Sequence, residues 1–421
     1  MDLTVANVER IWIDVPFREI PAKHMVRELP HWTLFEICLV TLKCGVTGYG
    51  ETMCYYTWGT VSDEGVARVM AKNAAGCMWD DSLGAGLQMA LFDAVGRATE
   101  TPCWALLGNQ HRDQAFVSWW DIDMPGEDWL RECQEAKSQG YTSFKSKARP
   151  WFDLKNQLDI LSKGLPPWFE VDMDFNGLLV NSTHAARVLP VVDGCPNVAI
   201  FETPLPQHDI PGQKRVREFT NTPIALHYGV PKITTALSEN ICDGFVVGGG
   251  ATGVCSAAAA IAEADKVFWL QLVGTGITAT WALHFAAVLP AARWPAVNCH
   301  QLYVNQLVDP SMSVVNGLAS IPEKPGLGVE LDRELIERYR IDPKEKPYPA
   351  PNILIAIRWP TGDTSYYTHA KRYWEDFQEG RLPVFPDGVY LEQVFDDGSS
   401  DWNTLQKKAM EKPVHVSGRV V

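Results

Sequence analysis

The 421-residue sequence predicts an α/β protein built around a closed barrel, with an α+β unit before it and a mixed extension after it. Three observations carry that prediction. Apolar runs that end in charge, Phe144-Lys145-Ser146-Lys147, Asp172-Met173-Asp174-Phe175-Asn176 and Phe201-Glu202-Thr203-Pro204, recur about 27 residues apart, the length of one strand, one crossover helix and their loops. Strand-like and amphipathic helical stretches alternate along the middle of the chain, which implies a parallel sheet, and seven or eight such units imply closure. Residues 3 to 60, by contrast, alternate polar and apolar positions in the β manner.

The elements follow in order. Residues 1-112 form an α+β unit, with strands in the alternating runs Val8-Glu9-Arg10-Ile11-Trp12-Ile13-Asp14-Val15 and Leu34-Phe35-Glu36-Ile37-Cys38-Leu39-Val40. A long loop over 16–33 carries Lys23, His24, Met25 and Trp32, and an aromatic loop follows at Tyr55-Tyr56-Thr57-Trp58. Helical periodicity covers 63–75 and 87–107, where Leu87, Leu91, Ala94, Val95 and Ala98 share one face. Residues 113-320 form the barrel, with strands over 116–120, 143–147, 169–174, 198–202, 223–227, 244–247 and 267–272. Residues 321-421 are Pro- and Gly-rich with short strands such as 353–359, yet too apolar to be disordered, so they pack back on the body.

Composition excludes several functions. The formal charge is −14 and no block of Lys or Arg forms the stripe that phosphate backbones require, which argues against nucleic acid. Residues 1–16 contain no apolar core of signal-peptide length, and the apolar stretch 267–292 is interrupted by Gly274, Gly276, His284 and Pro290, so no membrane span is expected. Ten cysteines without a CxxC pair predict neither a zinc ribbon nor a disulfide framework, and point to a reducing cytoplasm.

The charged strand ends carry the chemistry. Residues i and i+2 of a strand share a face, so Lys145 and Lys147 project together into the barrel, as do Asp172 and Asp174. A lysine beside another cation is pushed toward the neutral amine that a base requires. Taken by itself, the set also reads as buried Lys–Asp ion pairing that satisfies a barrel core.

Further motifs accompany it: 89–97 with Pro102 and Leu106-Leu107-Gly108, Gly276-Ile277, Leu283-His284, and Pro325-Gly326-Leu327-Gly328-Val329. Together with Lys145/Lys147, Asp174-Phe175-Asn176 and Glu202-Thr203-Pro204, they resemble the enolase superfamily from about residue 5 to 335, in its mandelate racemase/muconate lactonizing enzyme-like branch. Pro204-Leu205-Pro206-Gln207-His208-Asp209 and Asn298-Cys299-His300-Gln301-Leu302-Tyr303 are similar to its acid-sugar dehydratase-like members. The resemblance implies a modified TIM barrel, (β/α)7β, with an N-terminal α+β capping domain, a C-terminal segment that completes the cap, and an extension packed on it. It implies Lys147 as the base that removes a proton α to a carboxylate, and Lys145 as the cation that neutralises the enolate. It implies Asp174 and Glu202 as ligands of a divalent cation, Mg²⁺ by family habit, and a homo-oligomer, dimer or octamer, acting on a small-molecule carboxylate. Asn176, Asp172, His300, His24 and Trp58 become substrate-binding candidates, with 16–33 and 55–58 closing over the substrate.

The breaks matter as much. Where the family places its third carboxylate ligand the chain has His227-Tyr228, neither a good magnesium ligand. Three outcomes stay open: His227 shifts the preference to Mn²⁺ or Zn²⁺, the metal is lost, or Asp172 supplies the missing oxygen. Strands six and seven end in Val246-Val247-Gly248-Gly249-Gly250 and Val273-Gly274-Thr275-Gly276, where relatives carry the second acid/base. These glycine loops precede helices, so they either hold an anion on helix N-termini or fill space. His284 reads as structural and His300 as facing the mouth. The function expected is a one-base, dehydratase-type lyase acting on a hydroxy acid or acid sugar. The alternatives are a degenerate binding or regulatory protein on the same scaffold, and a racemase or epimerase with relocated acid/base groups.

Overall fold

The computed structural model describes residues 1–56, 60–342 and 352–418. Three antiparallel strands open the chain: β1 (Val5–Asp14), then, past helix α1 (Glu19–Glu28), β2 (Leu34–Leu42) and β3 (Thr47–Met53), in the order β1-β2-β3. Helices α2 (Asp63–Val69), α3 (Ala85–Ala98) and α4 (Cys103–Leu107) follow. α3 lies almost on the backbone of β3: a Cβ on Gly48 would stand 2.1 Å from the Ala94 nitrogen, so glycine sets that approach. Two expectations change here. The stretch 16–33 is mostly helix, with Glu19 in its first turn, Arg27 in its last and Pro30 just beyond, each favourable at its end. The helical run 87–107 is two helices, because Pro102 lacks the N–H needed to continue one.

The barrel strands and helices then alternate. They run β4 (Gln114–Trp120), α5 (Gly126–Ser138), β5 (Ser143–Lys147), α6 (Leu154–Gly164), β6 (Glu170–Asp174), α7 (Ser182–Asp193), β7 (Val198–Glu202) and α8 (Ile210–Val216). The second half is β8 (Ile224–His227), α9 (Ile233–Ser238), β9 (Gly244–Val247), α10 (Ala251–Glu263), β10 (Val267–Leu270), α11 (Gly276–Val288) and β11 (Ala296–Val297). Each strand from β4 to β10 pairs in parallel with the next, while β11 pairs in parallel with β4 and bridges Gln271, so the sheet closes as (β/α)7β. No described helix is long and apolar enough to cross a membrane.

Beyond the barrel come the short strands β12 (Val308–Asp309), β13 (Val314–Val315), β14 (Leu318–Ser320) and β15 (Glu330–Leu331), and helix α12 (Arg333–Tyr339). The last unit is an antiparallel sheet, in the order β18-β16-β17-β19, from β16 (Ile353–Arg358), β17 (Thr364–Tyr367), β18 (Tyr390–Phe395) and β19 (Val414–Val416), with helices α13 (Ala370–Gln378) and α14 (Ser400–Glu411). Its core of Ile353, Ile355, Ile357, Tyr373 and Phe377 continues into Trp151, Phe152 and Leu178, which belong to the loops after β5 and β6. The extension therefore packs at the C-terminal end of the barrel strands.

The N-terminal unit docks on the same end through charge. The buried Glu51 carboxylate accepts from the Thr275 and Thr278 backbone N–H at 2.7 and 2.8 Å and from the Thr275 hydroxyl at 2.7 Å. Asp81 accepts from the Thr252 and Gly253 backbone N–H at 3.0 and 2.7 Å, and Gln88 from that of Ala251 at 2.8 Å. The glycine loops before α10 and α11 thus do hold carboxylates, but these belong to the chain, so neither helix end is left for a substrate anion. Removing the Glu51 acceptor strands buried donors and opens a cavity. Glu51→Ala is expected to lower unfolding stability by about 3 kcal/mol in urea titration; an unchanged midpoint would refute that role.

Candidate active site

Strand register decides which side chains meet. Lys145 pairs with Asp172, Lys147 with Asp174, Asp174 with Glu202, Glu202 with Ala225, and His227 with Val246. Side chains alternate along each strand, so Lys145, Lys147, Asp172, Asp174, Glu202 and His227 all share the inner face. Lys145 Nζ, 1% exposed, lies 2.6 Å from Glu202 Oε2 and 3.5 Å from Asp174 Oδ2, and donates to Gln271 Oε1 at 2.8 Å. Lys147 Nζ contacts Asp174 Oδ2 and reaches Asn176 Oδ1 at 3.2 Å. His227 Nε2 meets Glu202 Oε1 at 3.0 Å. Asn176 is held in turn by Arg149 Nη2 at 2.7 Å, and its backbone N–H donates to Asp174 Oδ1 at 2.9 Å.

The two lysines have opposite electrostatic fates. Burial disfavours both ammonium groups, but at Lys145 the facing Glu202 and Asp174 outweigh it and raise the pKa. At Lys147 burial, assisted by Lys145 and Arg149, outweighs Asp174 and lowers it. Asp174, although buried, is held well below the usual carboxylate range by Lys147, Lys145 and Arg149. Above these groups lies a cavity of about 210 Å³, walled by Lys145, Lys147, Arg149, Asn176, Gln271 and Cys299 from the barrel. Glu28, Trp32 and Tyr56 close it from the N-terminal unit and Trp374 from the extension.

Comparisons with known proteins fit this arrangement. A family profile described as "Enolase C-terminal domain-like" matches residues 128–335. This chain belongs to the enolase superfamily. It is 25% identical to a chloromuconate cycloisomerase of Cupriavidus pinatubonensis over 369 residues, 78% of this chain and 96% of that protein. It is 23% identical to a D-xylonate dehydratase of Haloferax volcanii over 287 residues, 61% of this chain and 69% of that one. In structure it resembles a muconate cycloisomerase from Pseudomonas fluorescens, with TM-score 0.65 and 18% identity, over 81% of this chain and 100% of the other.

Against this superfamily frame, several sequence expectations are corrected. Tyr228 is no metal ligand: one residue past His227 it takes the outer face, its ring 5.8 Å from Phe245 in a T-shaped contact. His24 is away from the cavity, on α1, where Nε2 donates to Asp128 Oδ2 at 2.8 Å. His300 does not face the mouth: Cys299 takes a left-handed turn (φ 59°) and lines the cavity itself, while His300 is buried behind it, 3.1 Å from the Tyr141 hydroxyl. Asp172 shares the inner face but sits one layer deeper than Asp174, buried and with its carboxyl pushed up to about 8, so it does not complete the cage as a charged ligand. Asn176 is at the cavity wall; Trp58 lies outside the described residues.

Sequence reasoning missed Arg149, Gln271 and Trp374 as wall residues, whereas Tyr56 belongs to the 55–58 segment expected to close over the substrate. Arg149 had a signal, as the third basic residue in Lys145-Ser146-Lys147-Ala148-Arg149; Trp374, from far along the chain, had none. His284 is structural, as its helix face implied: Trp104 N–H donates to Nδ1 at 3.1 Å, and Nε2–H donates to Leu327 O at 3.0 Å.

Burial holds both His284 and His300 neutral, with pKa pushed down to about 4 and about 3 from the usual 6.5. The unfolded chain then binds more protons below pH 6.5, so their stabilising contribution is present above that value and lost as pH falls toward about 4. Urea stability is expected to drop over that window, and less steeply in His300→Gln; parallel pH profiles would refute the assignment.

Proposed function

We propose that this chain is a one-base lyase of the dehydratase type, removing the proton α to the carboxylate of a hydroxy acid or acid sugar. The observation that carries the reading is the pair Lys145 and Lys147, two residues apart on one face, driven apart in basicity by their surroundings. Such a split separates a permanent cation from a base. Lys147 accepts the Cα proton, and Lys145, with Arg149 on the same cavity wall, neutralises the charge that develops on the substrate carboxylate. The Cα–H electrons form the Cα=Cβ bond as the Cβ–O bond breaks, and His227, anchored on Glu202, gives its proton so that water leaves. The enol product tautomerises to a 2-oxo acid. The relative named as a D-xylonate dehydratase supports this class of reaction.

A resident metal is not part of the mechanism. Among the described residues no group of three or more His, Cys, Asp or Glu side chains is arranged to hold a metal ion. Asp174 and Glu202 are already neutralised by lysines, and His227 turns Nε2 to Glu202. This set does not fit Mg²⁺, which wants hard oxygen donors in an octahedron, nor the Mn²⁺ or Zn²⁺ that His227 by itself would favour.

Two-base racemisation or epimerisation has less support, since the walls from β10 and β11 offer Gln271, Val273, Val297 and Cys299, whose thiol pKa burial raises. A binding or regulatory role on the same scaffold is the second reading, favoured by the fully ion-paired carboxylates. The reading takes a small-molecule carboxylate as partner, a homo-oligomer (dimer or octamer) as the assembly, and the cytoplasm as its place, consistent with ten free cysteines.

Two measurements check it. Lys147→Ala should lower kcat by about 10³-fold and abolish Cα hydrogen–deuterium exchange in ²H₂O, whereas His227→Asn should retain exchange and lose elimination. Exchange that survives in Lys147→Ala would sink the assignment. Calorimetric titration with Mg²⁺, Mn²⁺ and Zn²⁺ should reveal no stoichiometric site; a tight site removed by Asp174→Asn would overturn the metal-free mechanism.

A further inference from the structure

A second cavity of about 1170 Å³ opens beside the mouth. The loops after β6 and β7 and the end of β8 form one wall, with Asn176, Thr203, Gln207 and His227. The other wall is α13 and the chain after it, with Trp374, Phe377 and Leu382, and Arg187 of α7 stands at the side. The two cavities share Asn176 and Trp374, and Asn176 Oδ1 is 3.2 Å from Lys147 Nζ. His227 faces the second cavity while holding Glu202. A substrate whose Cα meets Lys147 and whose Cβ faces His227 therefore directs its remaining atoms into this groove.

The groove has two kinds of surface. Trp374, Phe377 and Leu382 provide apolar faces. Facing them are hydrogen-bonding groups without full partners: Thr203 is 6% exposed, and its hydroxyl has no partner among the described residues. Gln207 Oε1 accepts from the His227 backbone N–H at 2.7 Å, which orients its amide group and leaves that amide's own donors. Arg187 forms no ion pair among the described residues and presents a planar fork of donors. A buried unpartnered hydroxyl is rare unless something else satisfies it.

An aromatic face opposite amide, hydroxyl and guanidinium groups matches the amphipathic form of a pyranose, whose C–H faces pack on rings while its hydroxyls bond around the edge. We propose that the groove binds a second sugar ring, so that the substrate is a sugar acid carrying a glycosyl substituent rather than a free monosaccharide acid. This rests on the acid-sugar reading of the mouth and names its substrate class. One wall of the groove is built by the C-terminal extension, of which, among the described residues, Trp374 also lines the cavity at the mouth.

Binding and turnover test the two readings separately. Calorimetry on the full chain carrying Lys147→Ala, which binds without turnover, compares gluconate, its galactosyl derivative lactobionate, and 4-phenyl-2-hydroxybutyrate. Lactobionate is expected to bind at least about tenfold more tightly than gluconate. Arg187→Ala, and separately Val384→Trp, which fills the groove from a partly exposed position, should each narrow that ratio toward one. Equal affinities, a ratio that both variants leave intact, no binding of either sugar acid, or tighter binding of the phenyl acid would each overturn the proposal. A lactobionate preference with no turnover by the wild-type chain would retain the groove and refute the lyase. Turnover of gluconate with no lactobionate preference would retain the lyase and refute the groove.

Discussion

Asp174 and Glu202 lie fully buried at the inner end of the barrel strands, a position an unpaired carboxylate does not tolerate, because its desolvation is not repaid by any exposed surface. Lys145 and Lys147 provide the countercharge, and strand register puts them there. The parity that closes the barrel is thus also what neutralises its mouth. The balance leaves one lysine firmly cationic and the other shifted toward the amine, since Lys145 lies between two carboxylates and Lys147 touches one while facing two more cations. An asymmetry in basicity follows from where two identical side chains stop along one strand.

The rest of the molecule holds this mouth closed by charge as much as by apolar burial. Glu51 and Asp81 of the N-terminal unit occupy the helix ends that in an open barrel would attract a foreign anion. From the other side, Arg27 bonds Asp123 at 2.9 Å and Tyr373 at 3.0 Å, and Trp374 donates to Glu28 at 3.1 Å. Trp374 therefore enters the cavity wall as part of a network spanning α1, the loop after β4 and α13. With both flanks occupied by the chain itself, the remaining opening runs sideways past Asn176 and His227, where the large groove begins.

Much of the barrel was legible because its signal is local and repeated. An interval of about 27 residues with charge at each strand end is a chemical consequence of one strand and one helix per unit, and alternation assigned Lys145 with Lys147, and Asp172 with Asp174, to the inner face, to which strand register adds Glu202 and His227. The same rule excludes Tyr228, which sits one residue out of phase. His300 was misread for a different reason: a single left-handed residue, Cys299, reverses which neighbour faces the cavity. The helix at 19–28 was hidden because its boundary residues are weak caps and its buried face is completed by distant partners such as Asp123 and Asp128.

What the sequence determined by itself is a closed α/β barrel of seven or eight units, which its resemblance to the enolase superfamily narrows to (β/α)7β, and the charged strand ends with the gap among them, since strand period, helix length and residue chemistry are all carried within a few tens of residues. Only the tertiary structure decided how that ring is satisfied: that both carboxylates are held by lysines, that the glycine loops are filled by Glu51 and Asp81, and that Trp374 and α13 wall a groove beside Lys147. Those outcomes depend on contacts between residues hundreds of positions apart, such as Glu51 with Thr278 and Arg27 with Tyr373. Burial sets their strength, and burial belongs to the packed chain rather than to any segment of it.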